Sequence, residues 1–233
     1  MKIALFGYGK MGKMIERLAV ERGHEIVAKI DVGTTEVDFS KIDVAIDFST
    51  PDAAYENILN CIDNKIPVIS GTTGWLDKFG SVVQHCKEQK GAFIYASNFS
   101  LGVNIFFELN EYLAKMMKNL SQYSVSLEEI HHTQKLDAPS GTAITLAEGI
   151  IAHTDYKNWK LDEPGNHQIA ISAKRIGDTP GTHTVEYASA VDSIEIKHTA
   201  HNREGFALGA VIAAEWILGK TGVFTMKDVL NLG

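Results

Sequence analysis

The chain has 233 residues, 45% of them hydrophobic and 22% charged, with a formal net charge of −7 at pH 7. That length holds one large domain or two small ones with ample core, and the composition is ordinary for a globular protein. The acidic balance and the lack of a long basic run argue against nucleic-acid binding, and no apolar run approaches the ~20 residues of a membrane span. Cys61 and Cys86, the only cysteines, lack metal-like spacing. They fit a reducing compartment, so the expectation is a cytoplasmic protein without a metal site.

The chain opens with an apolar strand at residues 2–6, the loop Gly7-Tyr8-Gly9-Lys10-Met11-Gly12 and a helix over 13–22. This is G-x-G-x-x-G in the strand–turn–helix setting that gives it meaning: one glycine for the turn, one for close approach of a pyrophosphate, one for packing helix on strand. A second strand, 25–30, ends in Asp31, about 20 residues beyond Gly12, where an acid can hydrogen-bond ribose hydroxyls.

The rhythm continues with strands at 44–48, 67–70 and 92–96 and helices around 53–63 and 76–89. Alternating strands and helices predict a parallel, doubly wound sheet with right-handed crossovers. Small polar motifs fall where the strands end: Ser49-Thr50-Pro51, Gly71-Thr72-Thr73-Gly74 and Ser97-Asn98-Phe99-Ser100. Each alone reads as a helix cap; together, on one edge of the sheet, they suggest a shared crevice.

After Ser100 the pattern changes. A helix over 103–117 is expected to bury Ile105, Phe106, Leu109, Leu113 and Met116. Extended runs at 123–132, 168–176, 182–188 and 193–199 then dominate, a second α+β domain with an open mixed sheet. A closing helix, 208–218, is expected to dock on the first domain. The predicted division is 1–100 with 202–233, and 101–201. The two crossings would make a hinge, with His198, His201 and Arg203 near it.

The most informative stretch is Glu129-Ile130-His131-His132-Thr133-Gln134-Lys135-Leu136-Asp137-Ala138-Pro139-Ser140-Gly141-Thr142-Ala143. It ends a strand and starts a helix with apolar residues at Ala143, Leu146, Ala147, Ile150 and Ile151. Ser140 is a candidate N-cap, leaving the Gly141 and Thr142 amides free for an anion. On a strand, His131 and His132 would face opposite ways. A His-His pair is often a surface feature and Ser-Gly-Thr a common cap. Acid–base groups beside an anion-binding helix start nonetheless suggest a site for a small carboxylated or phosphorylated molecule.

With those motifs assembled, the whole chain resembles the 4-hydroxy-tetrahydrodipicolinate reductases (dihydrodipicolinate reductases) of lysine and diaminopimelate biosynthesis. The match rests on Gly7–Gly12, Gly71-Thr72-Thr73-Gly74, Ser97–Ser100, the His131–Ala143 block and Arg203-Glu204-Gly205-Phe206-Ala207-Leu208-Gly209-Ala210. The resemblance implies a homotetramer, assembled through the second-domain sheet, that reduces a cyclic imine dicarboxylate with NADH and/or NADPH. It implies His131 as proton donor and Lys135 as second catalytic group, with His132, Ser140, Gly141 and Thr142 on the substrate. Gly7, Tyr8, Gly9, Lys10, Met11, Gly12, Asp31, Gly71, Thr72, Thr73, Ser97, Asn98, Phe99 and Ser100 would hold the cofactor.

One departure concerns the cofactor. Many NADPH-using members carry Arg after the acid that ends the second strand, whereas Val32 follows Asp31 here. Asp31 should repel a 2′-phosphate, and Lys10 could partly compensate. Two rival readings are a related amino-acid or semialdehyde dehydrogenase, which would tolerate loss of one carboxylate, and a non-catalytic NAD(P) sensor, which would bind without turnover.

Overall fold

The computed structural model describes residues 1–31, 33 and 37–232; Val32 lies outside them. The chain forms two compact units, Met1–Asn104 with Glu204–Gly233, and Ile105–Arg203.

The first unit is built on six parallel strands: β1 (Lys2–Phe6), β2 (Glu25–Ile30), β3 (Val44–Asp47), β4 (Val68–Ser70), β5 (Ala92–Tyr95) and β11 (Gly222–Phe224). Their order is β11-β5-β4-β3-β1-β2. The central strands are apolar on both faces because both are covered. On one side Ile3, Leu5, Ile46 and Ile94 pack with α1 (Lys10–Glu21) and α6 (Glu204–Ile217). On the other, Ala4, Phe6, Ala45 and Phe93 pack with α2 (Pro51–Asp63) and α3 (Phe79–Glu88). This is a doubly wound, Rossmann-type layer arrangement, as expected. The chain reverses its direction of progress across the sheet between β1 and β3, so the loops after these strands lie side by side: the Phe48 amide donates to the Phe6 carbonyl at 2.8 Å. Such a switch point is where open α/β sheets bind ligands.

The second unit carries a five-stranded mixed sheet, β10-β9-β6-β8-β7. Its strands are β6 (Ser124–His131), β7 (Asn158–Leu161), β8 (Gln168–Arg175), β9 (Gly181–Ala188) and β10 (Ser193–Ala200). β6 is parallel to β8 and antiparallel to β9. Its odd-numbered residues, Val125 to His131, face inward. There the strands meet α4 (Leu101–Met117) and α5 (Gly141–Ile151) through Phe106, Leu113, Leu146, Ile150 and Val185. The opposite face is polar, and Ser126, Glu128, Ser172, Thr184, Glu186 and Lys197 line a shallow cavity on it.

Three sequence expectations change. Ile105, Leu109 and Met116, expected in the core, are exposed, because α4 buries the face through Val103, Phe106, Asn110, Leu113, Ala114 and Met117. The helix over 76–89 is a 3₁₀ turn, Leu76–Lys78, followed by α3. The short elements β7, β11 and α7 (Met226–Leu230) were not anticipated; α7 is a five-residue helix started by a Thr225/Asp228 capping box. No helix among the described residues is long and apolar enough to cross a membrane.

Candidate active site

In the first unit the glycine loop joins β1 to α1. Gly7 has φ +89°, and a Cβ there would run into the Phe48 carbonyl; one on Gly12 would strike the Gly7 carbonyl. Only glycine fits either place. At Gly9, by contrast, an added Cβ meets nothing within 4 Å, so the backbone lies open to a ligand. Gly7, Tyr8, Gly9, Ile30, Asp31, Phe48, Ser49 and Asn57 line a cavity of ≈ 410 Å³. A smaller one, ≈ 220 Å³, is bounded by Met11, Phe48, Gly71 and Thr73. These features fit a dinucleotide: backbone exposed at the helix start, an acid at the end of β2, and room at the strand ends.

Several residues of the predicted crevice serve its frame. The Thr72 hydroxyl donates to Asp47 and accepts from the Ser49 amide. Phe99 is buried, its ring against Phe48. The Asn98 carboxamide accepts from the Ser100 amide at 2.9 Å, which sets the turn into α4. Tyr8 donates to Glu16, and Lys29, 2.7 Å from Glu16, also lies over the Tyr8 ring. Lys10 is exposed.

In the second unit His131 ends β6 and His132 follows it. The His131 ring is buried, 7% exposed, while His132 is half-exposed with Nε2 3.3 Å from Arg203 Nη2. Lys135 lies in the following loop, its ammonium 2.7 Å from the Asp137 carboxylate, which it holds below its ordinary pKa. Ser140 caps α5 as expected: its Oγ accepts from the Ala143 amide and shares a hydrogen bond with His183 Nε2 at 3.1 Å. Gly141 is exposed, and an added Cβ would meet nothing within 4 Å. Thr142 is half-buried beside it.

The charges here act on one another. Burial first, then the charge of His183, lowers His131 to about 4; Lys135 and Arg175 push the same way and Glu129 opposes. Burial would raise Glu129, yet His183, the hydroxyl and amide of Ser140 and the charge of His131 outweigh it, holding the carboxyl at about 2.

Comparison with known proteins settles the kinship. The family described as dihydrodipicolinate reductase, N-terminus, matches residues 1–99, and its C-terminal counterpart matches residues 102–230. The chain belongs to the dihydrodipicolinate reductase family. A 4-hydroxy-tetrahydrodipicolinate reductase of Christiangramia forsetii is 58% identical over 99% of this chain and 98% of that protein. One from Archaeoglobus fulgidus is 36% identical over 99% and 100%. Among solved structures, a dipicolinate-bound dihydrodipicolinate reductase from Paenisporosarcina sp. TG-14 superposes with a TM-score of 0.77 at 22% identity, covering 97% of each chain. The fold is thus that of the family, and family membership makes the chain an oxidoreductase.

In this dihydrodipicolinate reductase family member, residues to which the sequence reading assigned no role lie against those it named. Glu129 is fully buried, and the Ser140 amide donates to both of its oxygens at 3.1 Å. Arg175 donates to Glu129 at 3.1 Å and to the carbonyls of Lys135 and Asp137. His183 lies 3.7 Å from the same carboxylate. A signal existed: on the inward face of β6 an acid follows Val125 and Leu127, and a carboxylate in an apolar row needs partners.

Proposed function

We propose that this chain reduces 4-hydroxy-tetrahydrodipicolinate to tetrahydrodipicolinate, in lysine and diaminopimelate biosynthesis, with His131 protonating the reduced ring. The observation that carries the reading is the buried His131 at the end of β6, with Lys135, Arg175 and the open start of α5 around it. Kinship with reductases of that name points to the same substrate.

NADH or NADPH, when bound, supplies the hydride. The first unit holds it: the glycine loop and the α1 start take the pyrophosphate, Asp31 the adenosine ribose, and the turns at Gly71–Thr73 and Ser97–Ser100 the remainder. Among the described residues, no Lys or Arg lines the Asp31 cavity, which favours NADH. In the second unit the Gly141 and Thr142 amides take one substrate carboxylate, and Lys135 and His132 lie toward the rest of the ring. Ser140 supports this cradle through its cap, since its hydroxyl is already engaged. His131 is neutral in the free chain at pH 7. A bound dianion offsets Lys135 and Arg175, so the ring takes up the proton it later delivers.

Ser126, Glu128, Thr184 and Glu186 on the polar face of the second sheet stay only half-buried, a face that supports the expected homotetramer. The deciding experiment is loss of NAD(P)H absorbance with freshly generated 4-hydroxy-tetrahydrodipicolinate. Cofactor binding without oxidation would overturn the reading.

A further inference from the structure

Glu129 has more than one possible use. It forms, with His131 and His183, a buried cluster whose potential ligand atoms all lie within 4.8 Å of one another, which is metal-like spacing. The carboxylate, however, is already engaged. The Ser140 amide donates to both oxygens, and the Arg175 guanidinium is 3.1 Å from Oε1. A divalent cation on this carboxylate would sit beside a guanidinium, and Arg175 is itself fixed through the carbonyls of Lys135 and Asp137. The remaining direction is Oε2, which lies 3.4 Å from His131 Nδ1 and 3.7 Å from His183 Nε2.

Strand geometry makes that proximity obligatory. Glu129 and His131 are two residues apart on β6, so both project onto the inward face. Across the sheet His183 stands opposite Glu129. Under the His131 ring lies Gly181, where a Cβ would come within 3.1 Å of Nε2. The ring is thus framed by Gly181 and His183. Its buried Nδ1 makes no hydrogen bond among the described residues, but it faces Glu129 Oε2 across the 3.4 Å contact, and a facing carboxylate favours a proton on that nitrogen. Burying a carboxylate is costly, and a site that retains one beside an acid–base histidine points to function.

We propose that Glu129 is a positioning residue: its Oε2 keeps the permanent proton of His131 on Nδ1 and leaves Nε2 to exchange a proton with substrate. When the ring becomes an imidazolium, Glu129 supplies the facing charge. The inference rests on His131 as the general acid, but its test does not depend on turnover alone.

The test uses full-length protein labelled with ¹⁵N-histidine, and the variants Glu129→Gln and Glu129→Asp. In the wild type, neutral His131 should show the Nδ1–H tautomer by ¹⁵N shift. Glu129→Gln should lose that preference and lower kcat by roughly 10–100-fold, part of the ~10²–10⁴-fold of general acid catalysis. KM and NADH affinity should change little, and Glu129→Asp should recover part of kcat. A wild-type His131 in the Nε2–H tautomer overturns the proposal even if Glu129→Gln does not fold. So does a Glu129→Gln enzyme with normal kcat and tautomer but a lower melting temperature. A stoichiometric divalent metal in the purified wild type, lost in Glu129→Gln, would also overturn it. If the wild type fails to reduce the imine, the substrate reading falls, while the tautomer measurement still decides the role of Glu129.

Discussion

Asp47 and Thr72 are joined by a buried hydrogen bond of 2.8 Å from the Thr72 hydroxyl to the Asp47 carboxylate. Ser49 and Ser70 hydroxyls donate to the same carboxylate at 2.6 and 2.7 Å, and the Asn57 carboxamide reaches it at 3.3 Å. Burial raises the Asp47 pKa, and these donors oppose the rise. One side chain therefore ties the loop after β3 to the loop after β4, both beside the glycine loop. Asp47→Ala strands several buried hydroxyls, at about 1–3 kcal/mol for each left unsatisfied. The expected result is a lower melting temperature and weaker NADH binding, read by thermal unfolding and cofactor fluorescence. Unchanged NADH affinity would separate this network from the cofactor site.

His131→Ala and Lys135→Ala should each lower kcat by ~10²–10⁴-fold if both act in proton delivery and charge stabilisation. NADH affinity should hold, because both residues belong to the second unit. His132→Ala should act mainly on KM, since His132 is half-exposed while His131 is buried. Steady-state kinetics with a separate NADH titration decides; wild-type turnover in His131→Ala removes that residue from the mechanism.

The acid side of the stability curve follows from the same cluster. Folded His131 sits at about 4, against about 6.5 for an unfolded histidine. The unfolded chain therefore binds more protons between those values, so stability is full above about pH 6.5 and falls as pH drops toward 4, by up to roughly 3 kcal/mol. His198 is lowered too and adds to this slope. Glu129, at about 2 against an ordinary 4.5, contributes stability that is present above about 4.5 and lost as pH falls toward 2. Urea midpoints between pH 7 and 4 should drop in the wild type and drop less in His131→Gln. A dicarboxylate that offsets Lys135 and Arg175 should raise His131 and draw in a proton at neutral pH, visible as buffer-dependent binding enthalpy.

What the sequence disclosed and what it withheld have physical causes. Apolar runs covered on both faces and a glycine loop in register with Asp31 carry the first sheet, because those constraints are local. Strand alternation placed His131 on the inward face of β6, but the expected strand over 123–132 stops at His131, so His132 is set apart by the end of β6 and not by alternation. Arg175 and His183 are brought to Glu129 by pairing across β8 and β9, and no local pattern reports such register. On α4, apolar residues occupy two faces, so periodicity alone could not choose between Phe106 and Ile105. The family resemblance, carried by the His131–Ala143 block, supplied roles that spacing alone left open.

Cofactor choice is tested at Asp31. Lys29, the cation two residues before it, is engaged by Glu16 and Tyr8, and Val32 replaces the arginine common among NADPH users. NADH should therefore be used well. Asp31→Ala removes a ribose partner and a charge that repels a 2′-phosphate, and should shift the kcat/KM ratio toward NADPH. A strong wild-type preference for NADPH that survives the substitution would mean that another basic group reads the phosphate.

Substrate anchoring is tested at the start of α5. Its amides at Gly141 and Thr142 carry the partial positive charge of the helix end, and Gly141 leaves them uncovered. One carboxylate of the substrate is expected there, with basic side chains from the His132 and Lys135 side holding the ring or the second carboxylate. Hydrogen bonds to charged groups contribute about 1.5–3 kcal/mol each, so loss of one carboxylate should weaken binding at least about tenfold. Pyridine-2,6-dicarboxylate should inhibit competitively against substrate, and pyridine-2-carboxylate far less. Gly141→Val gives a clean second arm: an added Cβ meets no atom within 4 Å, so the fold accommodates it while the amides become crowded. Substrate KM should rise much more than NADH Kd. Equal inhibition by the two pyridines, together with an unchanged KM in Gly141→Val, would reduce the helix start to the cap that Ser140 provides.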